Sequence, residues 1–213
     1  MKAAELFIRC LENEGVERIF GIPGEENIDV MEVLLDSKIR FITTRHEQGA
    51  AFMADVHGRL TGKAGVSLAT LGPGATNLIT GIADANMDQA PVVAIAGQVA
   101  TTRMHKESHQ HLELVNLFRP ISKYSTQIRE PEIIPEIVRK AFKQAEAEKP
   151  GASFIDFPEN TCQNGHREQN TVESATYDGS GIARHESQTS RRDYIRRDVS
   201  ADHGRQSPTT RWS

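Results

Sequence analysis

A chain of 213 residues, 38% hydrophobic, with 25% charged residues and a formal net charge of −4, is long enough for one ordinary core and carries too little positive charge for a nucleic-acid surface. No apolar run approaches the ~20 residues that span a bilayer, and acids from Glu5 onward exclude a secretory signal, so no membrane association is expected. Two isolated cysteines, Cys10 and Cys162, form neither a Cys-x-x-Cys pair nor a disulfide framework, which points to a reducing compartment, the cytoplasm.

In chain order, residues 3–14 form an amphipathic helix with Cys10 in its core face. Residues 18–20 read as a strand that runs into Gly21-Ile22-Pro23-Gly24, a turn in which glycine permits close backbone approach and Pro23 fixes φ. A helix over 27–35 follows, then a strand of β-branched and aromatic residues over 38–43. A helix opening on Gln48 with the run Ala50-Ala51-Phe52-Met53-Ala54 comes next. The strand 65–71 leads into a second glycine turn, Gly72-Pro73-Gly74, where Ala75-Thr76-Asn77 is positioned to cap the next helix. Strands over 91–96 and 153–157 flank a helix over 132–148, whose Ile133, Ile134, Ile137, Val138, Ala141, Phe142 and Ala145 recur at helical spacing. Alternation of this kind predicts a three-layer α/β/α, doubly wound, mostly parallel sheet.

Glu47 is the most informative residue, a lone carboxylate where an apolar strand gives way to a small-residue helix. It has two readings. It can stay charged and favour the helix N-terminus, or be partly desolvated by Phe52, Met53 and the facing strands, which raises its proton affinity and suits acid–base work. Each glycine turn likewise reads as an ordinary βα turn or as part of a ligand loop. Neither is a Walker or dinucleotide motif, since Lys-Ser/Thr and Gly-x-Gly-x-x-Gly are both absent.

Read together, Val16 to Gly24, Arg45-His46-Glu47-Gln48-Gly49-Ala50-Ala51-Phe52-Met53-Ala54, Thr70-Leu71-Gly72-Pro73-Gly74-Ala75-Thr76-Asn77 and Pro91 to Gln98 resemble one family. They are similar to the N-terminal, pyrimidine-binding domain of thiamine diphosphate enzymes, and among these to the acetolactate synthase large subunit. The resemblance covers residues 1–162 and implies a role for each matching position. Glu47 would hydrogen-bond N1′ of the cofactor's aminopyrimidine and promote the imino tautomer, whose nitrogen removes the C2 proton of the thiazolium. Ile22, Pro23, Gly24, Gly72, Pro73, Gly74 and Asn77 would line the cofactor. The reaction implied is decarboxylation of a 2-oxo acid and carboligation to a second one, as in branched-chain amino acid biosynthesis or acetoin formation. The site would form in a homodimer, or with another subunit carrying the diphosphate-binding domain, which would also hold Mg2+.

Three departures from the family pattern stand out. Counting back from Arg119-Pro120, Gln110 falls on the glutamine of a Phe-Gln-Glu motif that lines the substrate pocket, but its neighbours here are His109 and His111. With His105 these histidines read as solvated loop residues, and no metal site is assigned. Lys149-Pro150-Gly151 stands where biosynthetic members carry an arginine that contacts FAD; lysine keeps the charge and loses the planar fork, so FAD gains little support. From Gln163 to Ser213 there is no Leu, Phe, Met or Lys, a composition expected to stay disordered and outside the family. In that tail Tyr177-Asp178-Gly179-Ser180 lacks the first glycine of the family's Gly-Asp-Gly magnesium motif, and the Arg191–Arg197 stretch is interrupted by acid and apolar residues. The expectation is a thiamine diphosphate-binding fragment, inactive alone; the alternatives are the small subunit of a split 2-oxo acid decarboxylase, a non-catalytic interaction module, or a truncated remnant.

Overall fold

Apolar residues alternate along the central strands so that each face of the sheet carries a different kind of side chain, and this decides how the helices lie. A computed structural model describes residues 1–106 and 109–163. The expectations for the tail fall outside the described residues.

Six strands, β1 (Arg18–Gly21), β2 (Arg40–Thr43), β3 (Gly65–Ala69), β4 (Val92–Gln98), β5 (Tyr124–Gln127) and β6 (Ala152–Pro158), form one sheet in the order β2-β1-β3-β4-β6-β5. Every adjacent pair is parallel, so the expected mostly parallel sheet is wholly parallel among the described residues. The strand β5 is missing from the sequence reading. Tyr-Ser-Thr-Gln is short, half-buried and polar because it is the edge strand, and edge strands lack the apolar run that marks a central one.

The helices are α1 (Ala3–Asn13), α2 (Ile28–Leu34), α3 (Glu47–Thr61), α4 (Pro73–Met87), α5 (Leu114–Phe118), α6 (Ile134–Glu146) and α7 (Glu159–Gln163). Several begin differently from the sequence reading. A 3-10 turn over Glu25–Asn27 precedes α2, and another over Pro131–Ile133 precedes α6. α4 starts at Pro73, whose fixed φ suits the first helical position, so Asn77 lies one turn inside and does not cap it.

Right-handed crossovers sort the helices. Connections that move toward β2 pass over one face, with α1, α2 and α6 packed on Ile19, Val66, Leu68, Val93, Ile95, Ile155 and Phe157. Connections in the other direction pass over the opposite face, where α3, α4 and α5 meet Ala69, Ala94, Ala96, Ala152 and Phe154. The first core is built of large aliphatic and aromatic side chains, the second mostly of alanine. Small side chains let α3 approach both α4 and the sheet closely: a Cβ on Gly81 of α4 would lie 2.6 Å from Cβ of Ala51, and one on Gly65 of β3 would lie 2.0 Å from the carbonyl oxygen of Ala54. That closeness brings the first turns of α3 and α4 together at the carboxyl end of the sheet.

Chain direction reverses twice across the sheet, once between β1 and β3 and once around β6, which lies between β4 and β5. Each reversal sends neighbouring loops to opposite faces and opens a crevice beyond the strand ends. Among the described residues no helix is long and apolar enough to cross a membrane.

Candidate active site

The crevice at the β1/β3 reversal collects the residues singled out in the sequence. After β1 the chain runs through Ile22, Pro23 and Gly24, with Pro23 exposed and the Gly24 N–H donating to Asn27 Oδ1 at 2.9 Å. After β2, the Thr44 N–H donates to the Gly21 carbonyl at 2.9 Å and the Thr44 hydroxyl to the His46 carbonyl at 3.0 Å, which ties this loop to the end of β1. His46 then caps α3, its Nδ1 accepting from the Gln48 N–H at 3.1 Å. Glu47 is therefore the first residue of the helix, one position earlier than expected.

The Glu47 side chain is half-buried, and its Oε2 accepts a hydrogen bond from Asn77 Nδ2 at 3.0 Å. Its Oε1 has no hydrogen-bond partner among the described residues and stands 3.5 Å from where a Cβ on Gly74 would be. Met53, expected to help desolvate Glu47, is instead 41% exposed. The carboxylate thus has one oxygen oriented by an amide and one open, bordered by a glycine. Such a group can hold or release a proton toward a flat nitrogen heterocycle, so the residues present fit an aminopyrimidine.

The two glycine turns meet on one side chain. A Cβ on Gly24 would lie 2.4 Å from Thr70 Cβ, and one on Gly74 would lie 2.8 Å from Thr70 Cγ2. Gly72 has φ +52° and ψ −120°, a conformation that side-chain-bearing residues rarely adopt, and a Cβ there would fall 2.6 Å from the Gln110 carbonyl oxygen. Gln110 thus reaches the crevice through its backbone, packed on Gly72, with its side chain exposed and φ +58°. Glu47, Gly24, Gly72, Gly74, Asn77 and Gln110 are gathered here; Ile22, Pro23 and Pro73 border them.

Sequence reading missed a polar chain across the same crevice. The Thr70 hydroxyl donates to Glu26 Oε2 at 2.6 Å, and Glu26 Oε1 meets His109 Nε2 at 2.5 Å. His109 is therefore tied to a carboxylate, a correction to its reading as a solvated loop histidine. Burial by itself would raise the Glu26 carboxyl, but hydrogen bonds from Thr70 and His109 outweigh it and hold the group below its ordinary value. The signal was an acidic pair, Glu25-Glu26, directly after a glycine turn. Glu25, Glu26 and His109 place ligand-type atoms within 4.8 Å of one another. Lys149 precedes β6 and so lies at the opposite, amino-terminal end of the sheet from Glu47.

A second buried acid, Asp156, sits at the carboxyl end of β6 and is 1% exposed. Desolvation pushes its carboxyl up to about 7, against the hydrogen bond from Gln127 and the nearby Gln98 amide, which favour the charged form. The folded chain therefore binds this proton more tightly than the unfolded chain. The resulting stability is present below about pH 4 and is lost as pH rises toward about 7. Asp156→Asn removes this dependence. Thermal melts of both proteins between pH 4 and pH 7 are expected to show the difference in melting temperature, variant minus native, increasing with pH; parallel curves would contradict it.

Comparison with known proteins gives the family. The family model described as "Thiamine pyrophosphate enzyme, N-terminal TPP binding domain" matches residues 1–117. The chain is 48% identical over 158 residues to "Acetolactate synthase" of Bacillus subtilis (strain 168), covering 74% of this chain and 28% of that protein. It is 46% identical over 156 residues to "Acetolactate synthase, catabolic" of Raoultella terrigena, covering 73% and 28%. It is 48% identical over 158 residues to "Probable acetolactate synthase large subunit" of Methanocaldococcus jannaschii, covering 74% and 27%. The chain thus spans little more than a quarter of the length of these relatives. A match over more than half of the chain, on a parallel α/β sheet, establishes that the chain belongs to the thiamine pyrophosphate enzymes, through their N-terminal TPP-binding domain.

Proposed function

We propose that this chain supplies the aminopyrimidine half of a thiamine diphosphate site of acetolactate synthase type, acting on pyruvate and a second 2-oxo acid. The observation that carries this reading is the Glu47 carboxylate, oriented through Oε2 by Asn77 and open at Oε1, beside Gly74. Thiamine diphosphate, when bound, would supply a carbon nucleophile and a cationic ring able to accept the electrons released on decarboxylation. Glu47 would hold a proton at the ring nitrogen and take it back. Asn77 fixes the carboxylate rotamer, while Gly24, Gly72 and Gly74 keep the crevice floor at backbone height. Gln110 borders the substrate side.

Diphosphate and Mg2+ are assigned to a diphosphate-binding domain of a second subunit, in a homodimer or in a separate polypeptide, and residues 1–162 to the pyrimidine domain proper. Support for such a partner comes from α3, where Met53, Val56 and Leu60 are 41%, 50% and 80% exposed along one side of the helix that begins with Glu47. Nothing in this reading requires FAD. The free thiols Cys10 and Cys162 suit the cytoplasm.

The test is calorimetric titration with thiamine diphosphate and Mg2+, of this chain alone and mixed with a separately expressed diphosphate-binding domain of a relative. Tight binding and acetolactate formation are expected in the mixture and not with the chain alone. A folded chain that shows neither in the mixture would refute the assignment.

A further inference from the structure

The second reversal in the sheet has a crevice of its own, which the Glu47 chemistry does not use. A cavity of about 700 Å³ opens beyond the carboxyl ends of β4, β6 and β5, with Gln98, Gln127 and Asp156 at the strand ends. That size lies within the range of small-molecule sites. Glu113, Arg119 and Arg129 also line it. It lies across β4 from the β1/β3 crevice.

Asp156 marks it as more than a packing gap. It is the one acid in β6, is 1% exposed, and accepts a hydrogen bond at Oδ2 from the Gln127 amide at 2.7 Å. Oδ1 is buried with no hydrogen-bond partner among the described residues. The neighbouring Gln98 amide, whose Nε2 donates to the Leu112 carbonyl at 3.0 Å, makes no hydrogen bond to Oδ1 among the described residues. Burying a carboxylate with half its capacity unused costs stability unless a donor arrives. Arg119 and Arg129 are exposed, and neither is ion-paired among the described residues. The cavity therefore offers an acidic anchor within and guanidinium groups at its lining. An anion alone would face Asp156 and Glu113, and a cation alone would face two arginines.

We propose that this second crevice binds a small zwitterion of amino-acid size, its ammonium on the Asp156 carboxyl and its carboxylate on Arg119 and Arg129. The ammonium supplies the donor that Asp156 lacks. The guanidinium fork suits a carboxylate. The site is independent of the Glu47 reading and stands or falls separately from it.

The full chain is titrated calorimetrically with glycine, β-alanine and 4-aminobutanoate, with propylamine and propionate as single-charge controls at matched ionic strength. At least one zwitterion is expected to give a saturable heat that neither control gives. Asp156→Asn and Arg129→Gln are each expected to weaken it by about tenfold or more, the loss typical of a charged hydrogen-bond partner. Glu47→Gln is expected to leave it unchanged. The proposal is overturned if no zwitterion binds a chain shown to be folded by circular dichroism, if Glu47→Gln abolishes binding, or if Arg129→Gln binds as tightly as the native chain. Arg129 lies at the surface, so its variant decides the matter even where Asp156→Asn does not fold.

Discussion

Replacing Glu47 by glutamine is expected to lower turnover of the reconstituted enzyme by about 10²–10⁴-fold, the range that a positioned general acid–base contributes. Glutamine has the same length and can still accept the Asn77 hydrogen bond through its carbonyl oxygen, so α3 and its packing on α4 are retained. What it loses is the ability to hold and release a proton at the open oxygen beside Gly74. Because the rest of the crevice is unaltered, affinity for thiamine diphosphate is expected to change by less than about tenfold, or 1.4 kcal/mol. Two measurements separate these effects: acetolactate formation, and exchange of the cofactor's C2 proton followed by NMR. Exchange and turnover both at native rates in Glu47→Gln would remove the carboxylate from the mechanism.

The largest effect on stability is expected at Arg59, on the side of α3 that faces α4. Its Nε donates to both oxygens of Asp55 at 2.9 and 3.0 Å, Nη1 to Asp88 at 2.8 Å and Nη2 to Asp84 at 3.1 Å. Asp84 and Asp88 are substantially exposed and contribute little. Asp55 is different, being only 2% exposed. Arg59→Met leaves that carboxylate buried without a counter-charge, which costs about 3 kcal/mol. For a domain of this size the melting temperature should fall by roughly 6–12 °C. Asp55→Asn added to Arg59→Met is expected to recover most of the loss, since no buried charge is then left. Arg59→Lys should recover little, because an ammonium cannot bridge three carboxylates on two helices at once. A melting temperature within about 2 °C of native for Arg59→Met would show that Asp55 finds another partner.

The same helix pair links stability to the site. Arg59 joins α3 to α4 near their carboxyl ends, Gly81 and Ala51 set their closest approach, and Glu47 and Asn77 meet at their amino ends. Glycine at 81 is dictated by a neighbouring side chain rather than by φ, so it could not be recognised as special from its surroundings in the sequence.

Much of the architecture was legible because it depends on periodicity. The stripe of Ile134, Ile137, Val138, Ala141, Phe142 and Ala145 is buried as helical spacing requires, and the central strands β3 and β4 are buried throughout and apolar but for Ser67 and Gln98, as in a sheet covered on both faces. The edge strand β5 escaped because a half-buried polar tetrapeptide has no such signature. Glu47 stood out through its motif, and the glycine turns through their fixed position after strands. The Thr70–Glu26–His109 chain did not, since its members are 44 and 83 residues apart from Glu26 and nothing local pairs them.

By itself, the sequence determined the alternation of strands and helices, the family resemblance and the glutamate to which the chemistry is assigned here, because all three are written in local pattern. Only the tertiary structure decided which loops share a crevice, that His109 is held by a buried glutamate, and that Asp156 faces a cavity with an oxygen unpartnered. Strand order and the close approach of α3 to α4 arise from packing between segments distant in the chain, and no local pattern encodes them.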